Sequence, residues 1–332
     1  MKKETTLFSL MAMAIKRGLI CLTIGITLFA AGRPVSATPT AFGINMPWIH
    51  YGTDFGADAK YPGSSATYNG SQMQGYLDDM RSKHMNIVRM WLFEDQSGLT
   101  FSGNYCTGVS SQTLNYITDF VNRANADHLT VYCMLFNNDI PTGYITSDGG
   151  VSLVNNVVLP LARALNGKAV QYDIMNECDY AAPGLGWTTL RNFLGKVTTA
   201  IHSVSSSDWV TASDDHADDF NLNFYNTLGS LGFNFYDYHQ YSDVNTALRV
   251  TPAAVHNAPL FLGEFGPTGS GWDSQSASVN SSLVDYFTSE AKNKGYTGML
   301  AWSYTDGSNY QIKNNGTIWN LEYYGNLWGI NP

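Results

Sequence analysis

The chain has 332 residues and a formal net charge of −9, with 18 Lys and Arg against 27 Asp and Glu. That balance excludes a nucleic-acid partner, because binding phosphates needs a basic face. Charged residues are 14% and aromatic residues 13% of the chain, a surface that suits a neutral ligand better than an ionic one.

Residues 1–37 read as an export leader. Lys2, Lys3, Lys16 and Arg17 supply positive charge, Gly18 to Ala31 runs largely apolar, and Val35-Ser36-Ala37 offers the small-residue pattern of a cleavage site. An uncleaved N-terminal anchor is the alternative reading of the same stretch. Ile20 before Cys21 is too bulky for a lipoprotein box, so simple secretion is expected, with a periplasmic location as the variant. Residues 38–332 then form one domain with no internal repeat and no low-complexity linker. They keep Cys106, Cys133 and Cys178, which allow at most one disulfide and include no C-x-x-C pair.

Short apolar runs alternate with helical patterns along this domain. The runs are Phe42–Met46, Met85–Trp91, Thr130–Phe136, Val170–Met175, Trp209–Ala212, Phe233–Tyr238, Pro259–Leu262 and Gly298–Trp302. Near-continuous apolar runs of this length fit parallel strands buried on both faces. Helical spacing marks Ser71–His84, Ser111–His128, Val151–Leu165, Trp187–Val204 and Ser281–Lys294. Eight strands with intervening helices predict an α/β fold, a (β/α)8 TIM barrel, over a doubly wound sheet, for which no Gly-rich phosphate loop is present. After the last strand only Thr305–Pro332 remains, so the eighth helix is expected to be absent or irregular.

Polar residues gather at the C-terminal ends of the runs. They include Arg89 and Trp91 on the second, Asn176-Glu177 after the fourth, His239 and Tyr241 after the sixth, Glu264 after the seventh and Trp302 on the eighth. A barrel brings these ends to one mouth. Two glutamates that each follow an apolar strand are costly unless they are partnered or used. Strands four and seven face each other across the mouth, so Glu177 and Glu264 are expected to converge. One would protonate a leaving oxygen and the other attack, as glycosidic cleavage with retention requires, with carboxyl oxygens about 5–5.5 Å apart. Arg89 and Tyr241 are placed to hold Glu264 ionised, and Asn176 to bond a sugar 2-OH. Trp302, Trp91 and, after the first strand, Trp48 suit sugar stacking; Trp187 and Trp272 suit either rim or core.

The set Arg89, Asn176-Glu177, His239-x-Tyr241, Glu264-Phe265-Gly266 and Trp302 resembles clan A glycoside hydrolases, particularly family 5, across the whole domain and in the family's strand order. Two details are similar to the β-mannanases of that clan: the segment Arg89 to Asp95, and the Asn137-Asn138 pair that closes strand three. Cys178-Asp179-Tyr180 departs from the mannanase pattern. The resemblance implies a secreted retaining endo-β-glycanase acting on polysaccharide or oligosaccharide, β-1,4-mannan first. Glu177 would be the acid/base, Glu264 the nucleophile, and Arg89, Asn176, His239, Tyr241, Trp302, Trp48, Trp91 and Asn137 substrate-binding residues. A β-glucanase or cellulase-type enzyme and a non-catalytic carbohydrate-binding barrel are the alternatives. No cofactor, metal, nucleic acid or stable membrane association is expected, and the chain is expected to be a monomer. Asp214-Asp215-His216 lacks a ligand-spacing motif and reads as loop or subsite wall.

Overall fold

Eight strand positions close into a ring because each strand is buried on both faces and needs a neighbour on both edges. The computed structural model describes residues 41–312 apart from 62, 216–230, 244, 256 and 270. The expected leader at residues 1–37 and the end of the chain, where the eighth helix is expected to be absent or irregular, lie outside the described residues.

The barrel strands are β1 (Ala41–Asn45), β2 (Ile87–Trp91), β5 (Thr130–Phe136), β6 (Val170–Met175), β7 (Trp209–Thr211), β8 (Ser213–Asp214), β9 (Tyr236–Tyr241), β10 (Leu260–Gly266) and β11 (Gly298–Ala301). Their order is β7-β6-β5-β2-β1-β11-β10-β9-β8. All of these pairings are parallel. β7 and β8 are two halves of one strand interrupted at Ala212. β7 pairs with β6 and β8 with β9, which closes the (β/α)8 barrel.

The helices lie outside. α1 (Gly70–Ser82) is capped by Asn69, whose side chain accepts from Ser71 and Gln72 N–H. α2 (Ser111–Ala126) is capped by Ser110. α3 is continuous through Val151–Leu153, a π turn at Val154–Val158, and Leu159–Leu165. The wide turn stands next to Pro160, whose missing N–H and ring disturb the regular ladder. α4 is Trp187–Val204 and α5 is Ala277–Lys294. Met73, Leu77 and Met80 on α1, Ile117, Phe120 and Val121 on α2, and Leu190, Phe193, Leu194 and Val197 on α4 are all buried. Each such side chain contributes roughly 1.5–3 kcal/mol of apolar burial. Inside the ring, Ala41, Ile87, Tyr132, Phe235, Phe261 and Leu300 form a separate buried plug. The strand pleat sets inward positions two residues apart. The next inward residues after the plug are therefore Arg89 and Asp237, and then Trp91 and His239.

Two expected boundaries need correction. Ser276 caps α5 by accepting from Val279 N–H, so the helix starts four residues before Ser281. β9 is shifted toward its polar end and carries His239 and Tyr241 within the strand. A hairpin, β3 (Leu99–Ser102) with β4 (Tyr105–Val109), follows β2 and was not foreseen. Cys106, Cys133 and Cys178 are buried and free, on separate elements, so no disulfide forms among the described residues.

Candidate active site

The glutamate at the end of the seventh barrel strand is aimed by a bulge. In β10 the register against β9 shifts between Leu262 and Glu264, so that Glu264 pairs with His239. Gly263 occupies the bulge. A Cβ there would lie 2.0 Å from Asp237 Oδ1, so only glycine leaves room for that carboxyl. Glu177 stands just past β6 with φ 45° and ψ 54°, a left-handed conformation that costs a non-glycine residue energy. Ser213 offsets this by accepting from the Glu177 N–H at 3.0 Å.

Glu264 is buried and held on both oxygens. Arg89 Nη1 donates to Oε1 at 2.5 Å and Tyr241 OH donates to Oε2 at 2.6 Å. Burial and the charge of Glu264 keep the Tyr241 phenol well above its ordinary value, so it remains a donor. Arg89 is fully buried and also donates to Asn45 Oδ1 at 2.9 Å, Asp173 Oδ2 at 2.7 Å and Asn176 Oδ1 at 2.7 Å. Burial opposes its charge, but Glu264 and Asp173 outweigh that and raise it above the ordinary arginine value. Asn45 in turn donates to the Gly263 and Ala301 carbonyls at 2.8 and 3.2 Å, tying β1 to its neighbour β11 and to β10 beyond it.

Glu177 is raised above the ordinary glutamate value by burial. His239 works against that shift, and Glu264 adds to it. His239 is fully buried, with Nδ1 3.1 Å from Glu177 Oε1 and 3.6 Å from Glu264 Oε2. One ligand-capable atom from each of Glu177, His239 and Glu264 lies within 4.8 Å of the others. The expected convergence of the two glutamates is therefore present.

The other expected residues surround this centre with different exposures. Asn176 is buried; its amide reaches Asn137 Oδ1 at 3.4 Å. Trp302, which is followed by a cis peptide to Ser303, and Trp48 are half-buried. Trp91 is buried beneath them, its ring 5.7 Å from Trp302 and 5.3 Å from Trp48. Trp48 also meets Tyr51 edge-on at 4.9 Å. Trp272 is core: it is fully buried, and its Nε1 donates to the Trp302 carbonyl at 2.6 Å. Trp187 is exposed at the start of α4. Asp214 is buried in β8, and Asp215 accepts from the Tyr180 hydroxyl at 2.7 Å; residue 216 lies outside the described residues.

Several polar residues had no role in the sequence reading. Asp173 anchors Arg89 and accepts from Ser213 Oγ at 2.8 Å. Asp237 accepts from the Tyr132 hydroxyl at 2.5 Å. Glu94 accepts from Tyr51 at 2.9 Å and from Asn137 at 3.4 Å. The available signal was the pleat: Asp173, Asp237 and Asn45 are polar at inward positions of otherwise apolar strands.

Burial pushes Glu94 up to about 7 from an ordinary 4.5. A carboxyl raised on folding binds more protons folded than unfolded. Its stabilising contribution is therefore full below 4.5 and is lost as pH rises through 7, by on the order of 3 kcal/mol. Glu94→Gln should gain in Tm relative to the parent as pH goes from 4.5 to 8 in thermal unfolding. A gap that does not change with pH would contradict the assignment.

The (β/α)8 barrel is the fold that the resemblance to clan A glycoside hydrolases implies. Comparison with family models returned no match. A mannan endo-1,4-beta-mannosidase of Cryptopygus antarcticus is 24% identical over 326 aligned residues, covering 80% of this chain and 80% of that protein. The corresponding enzyme of Mytilus edulis is 25% identical over 329 residues, covering 82% of this chain and 85% of its own length. The X-ray structure of the Mytilus edulis β-mannanase superimposes with a TM-score of 0.64 over 86% of this chain and 92% of that one. An endo-beta-1,4-glucanase of Xanthomonas axonopodis pv. citri gives 0.60 at 15% identity, over 87% and 99%.

Proposed function

We propose that the chain is a retaining endo-β-glycanase that cleaves β-1,4-mannan by double displacement. The observation that carries this is the paired hold on Glu264 by Arg89 and Tyr241, facing a Glu177 whose acidity is weakened by burial. Glu264, ionised, is the nucleophile. Glu177, protonated, gives its proton to the leaving oxygen and then serves as base toward water. The 4.8 Å bound on the Glu177–His239–Glu264 cluster favours the short spacing of retaining enzymes over the roughly 6.5–9.5 Å that inverting enzymes need.

Asn176 lies within reach of a sugar 2-OH beside Glu264, with its carbonyl oxygen engaged by Arg89 and its amide turned to Asn137. Trp302 and Trp48 supply stacking faces, with Trp91 supporting both rings from below. His239, fully buried, acts on the two glutamates rather than on sugar. Mannan as substrate is supported by the names of the two curated relatives. Export through residues 1–37 and action outside the cell as a monomer belong to the same proposal. No helix among the described residues is long and apolar enough to cross a membrane.

The test is a panel of soluble mannan, glucomannan and β-1,4-glucan, with reducing-end assay and product-length analysis. Mannan is expected to give the highest kcat/KM, with mixed oligosaccharides as early products. Preference for glucan would move the assignment to a β-glucanase. Binding without turnover on any substrate would make the barrel a carbohydrate-binding module.

A further inference from the structure

Asp237 has no part in the double displacement, yet it lies at the centre of the barrel's charge. It is fully buried on β9, two residues before His239. Tyr132 on β5 donates to its Oδ2 at 2.5 Å, and the same oxygen lies 3.9 Å from His239 Nε2. Asp237 Oδ1 and His239 Nε2 have no hydrogen-bond partner among the described residues. Arg89 from β2 and Asp173 from β6 also act on the Asp237 charge. The bulge glycine, Gly263, leaves the space this carboxyl occupies. A buried acid in such a place costs free energy that packing alone does not return.

His239 is the group that connects Asp237 to the chemistry. Its Nδ1 faces Glu177 Oε1 at 3.1 Å and Glu264 Oε2 at 3.6 Å. In double displacement the negative charge moves between these two carboxyls. Before attack Glu264 is the anion and Glu177 holds a proton. In the glycosyl-enzyme Glu264 is a neutral ester and Glu177 is the anion. Both ends of that shift face one nitrogen. A protonated ring there meets one negative charge at every stage, whereas a neutral ring gives up most of that attraction.

We propose that Asp237 is a positioning residue, a buried counter-ion that holds His239 as an imidazolium through both half-reactions, so that one Nδ1–H serves whichever glutamate carries the charge. This rests on the retaining mechanism proposed above. No proton passes through His239. The proton that leaves Glu177 goes to the leaving-group oxygen, and the one that returns comes from the attacking water. Burial alone would strip the ring of its charge, but Glu264, the hydrogen bond with Glu177, and Asp237 outweigh burial and push His239 up to about 10. Asp237 itself is pushed up by burial to about 6, held there by His239 and Arg89, and is an anion at neutral pH.

The experiment uses the whole chain with 15N-labelled histidine, His239 being assigned by its loss in His239→Gln. Imidazolium shifts are expected for His239 at pH 8, both in the free enzyme and after trapping with a 2-deoxy-2-fluoro glycoside. Asp237→Asn, which keeps the shape, should move the His239 titration to lower pH. It should also lower kcat on polysaccharide about tenfold or more while KM changes less than about twofold. Tyr132→Phe removes the donor that stabilises the Asp237 anion, so it should shift the titration the same way by less, and it carries the test if Asp237→Asn does not fold. A neutral His239 at pH 8 in the parent, or a titration unmoved by the folded variants, would overturn the proposal. A parent that neither turns over glycosides nor forms the fluoroglycosyl adduct would overturn the hydrolase reading itself, and the proposal with it.

Discussion

Glu264→Ala is expected to lose turnover by on the order of 10⁵–10⁶-fold, because the proposed nucleophile is gone. The folded state should survive, since Arg89 keeps Asp173 as a partner at 2.7 Å. Loss of one buried carboxylate from that cluster still has a cost, so the variant should be compared at matched circular dichroism. The informative part is chemical rescue. The alanine leaves space on the face that Glu264 occupied, and azide can enter there and attack an activated aryl glycoside directly. A single displacement inverts the anomeric centre, so the product should be the glycosyl azide of opposite configuration. Rescue without inversion, or no rescue in a folded variant, would count against a nucleophile at this position.

Arg89→Met should have the largest effect on stability and a large one on rate. Arg89 is completely buried and binds groups from β1, β6 and β10 and from the segment after β6. Its removal leaves the Glu264 and Asp173 carboxyls inside the barrel with one cation fewer. Breaking a buried pair in this way costs about 3–5 kcal/mol. Denaturant unfolding should show that loss as a lower midpoint with an unchanged slope. Without the guanidinium, Glu264 Oε1 loses its donor, so kcat/KM should fall along with stability. Arg89→Lys should recover only part of either loss, because one ammonium cannot span Glu264 and Asp173 as a planar fork does. A stability change below about 1 kcal/mol, the range of surface pairs, would contradict the role assigned to Arg89.

The barrel was legible because its strands are buried on both faces and carry that in their composition. The helices Ser111–Ala126 and Trp187–Val204 start where the spacing put them. The errors fall where polar function interrupts apolar pattern. The apolar run of β9 ends at Tyr238, yet the ladder to β10 continues through His239, Gln240 and Tyr241. The apolar run of β10 ends at Leu262, and the bulge at Gly263 that follows aims the glutamate. The β3–β4 hairpin escaped because its residues are half exposed and its turn rests on Gly103 at φ 58°.

The site followed the same rule. Glu177, Glu264, Arg89 and Tyr241 stand out by strand-end position, and the structure brings them together. Asp173 and Asp237 were missed because a strand apolar on both faces does not announce which face looks inward. Only the closed ring shows that Arg89, Asp173 and Asp237 point at one another. His239 and Trp91 were expected at the surface of the cleft and are instead beneath it.

The proposed double displacement between Glu264 and Glu177 fixes the configuration of the first product. The most direct measurement is proton NMR of the anomeric centre during the first minutes of hydrolysis of a β-linked oligosaccharide, before mutarotation mixes the forms. The β-anomer is predicted to appear first and to decay toward equilibrium. An α-anomer as the first product would show a single displacement and contradict the account.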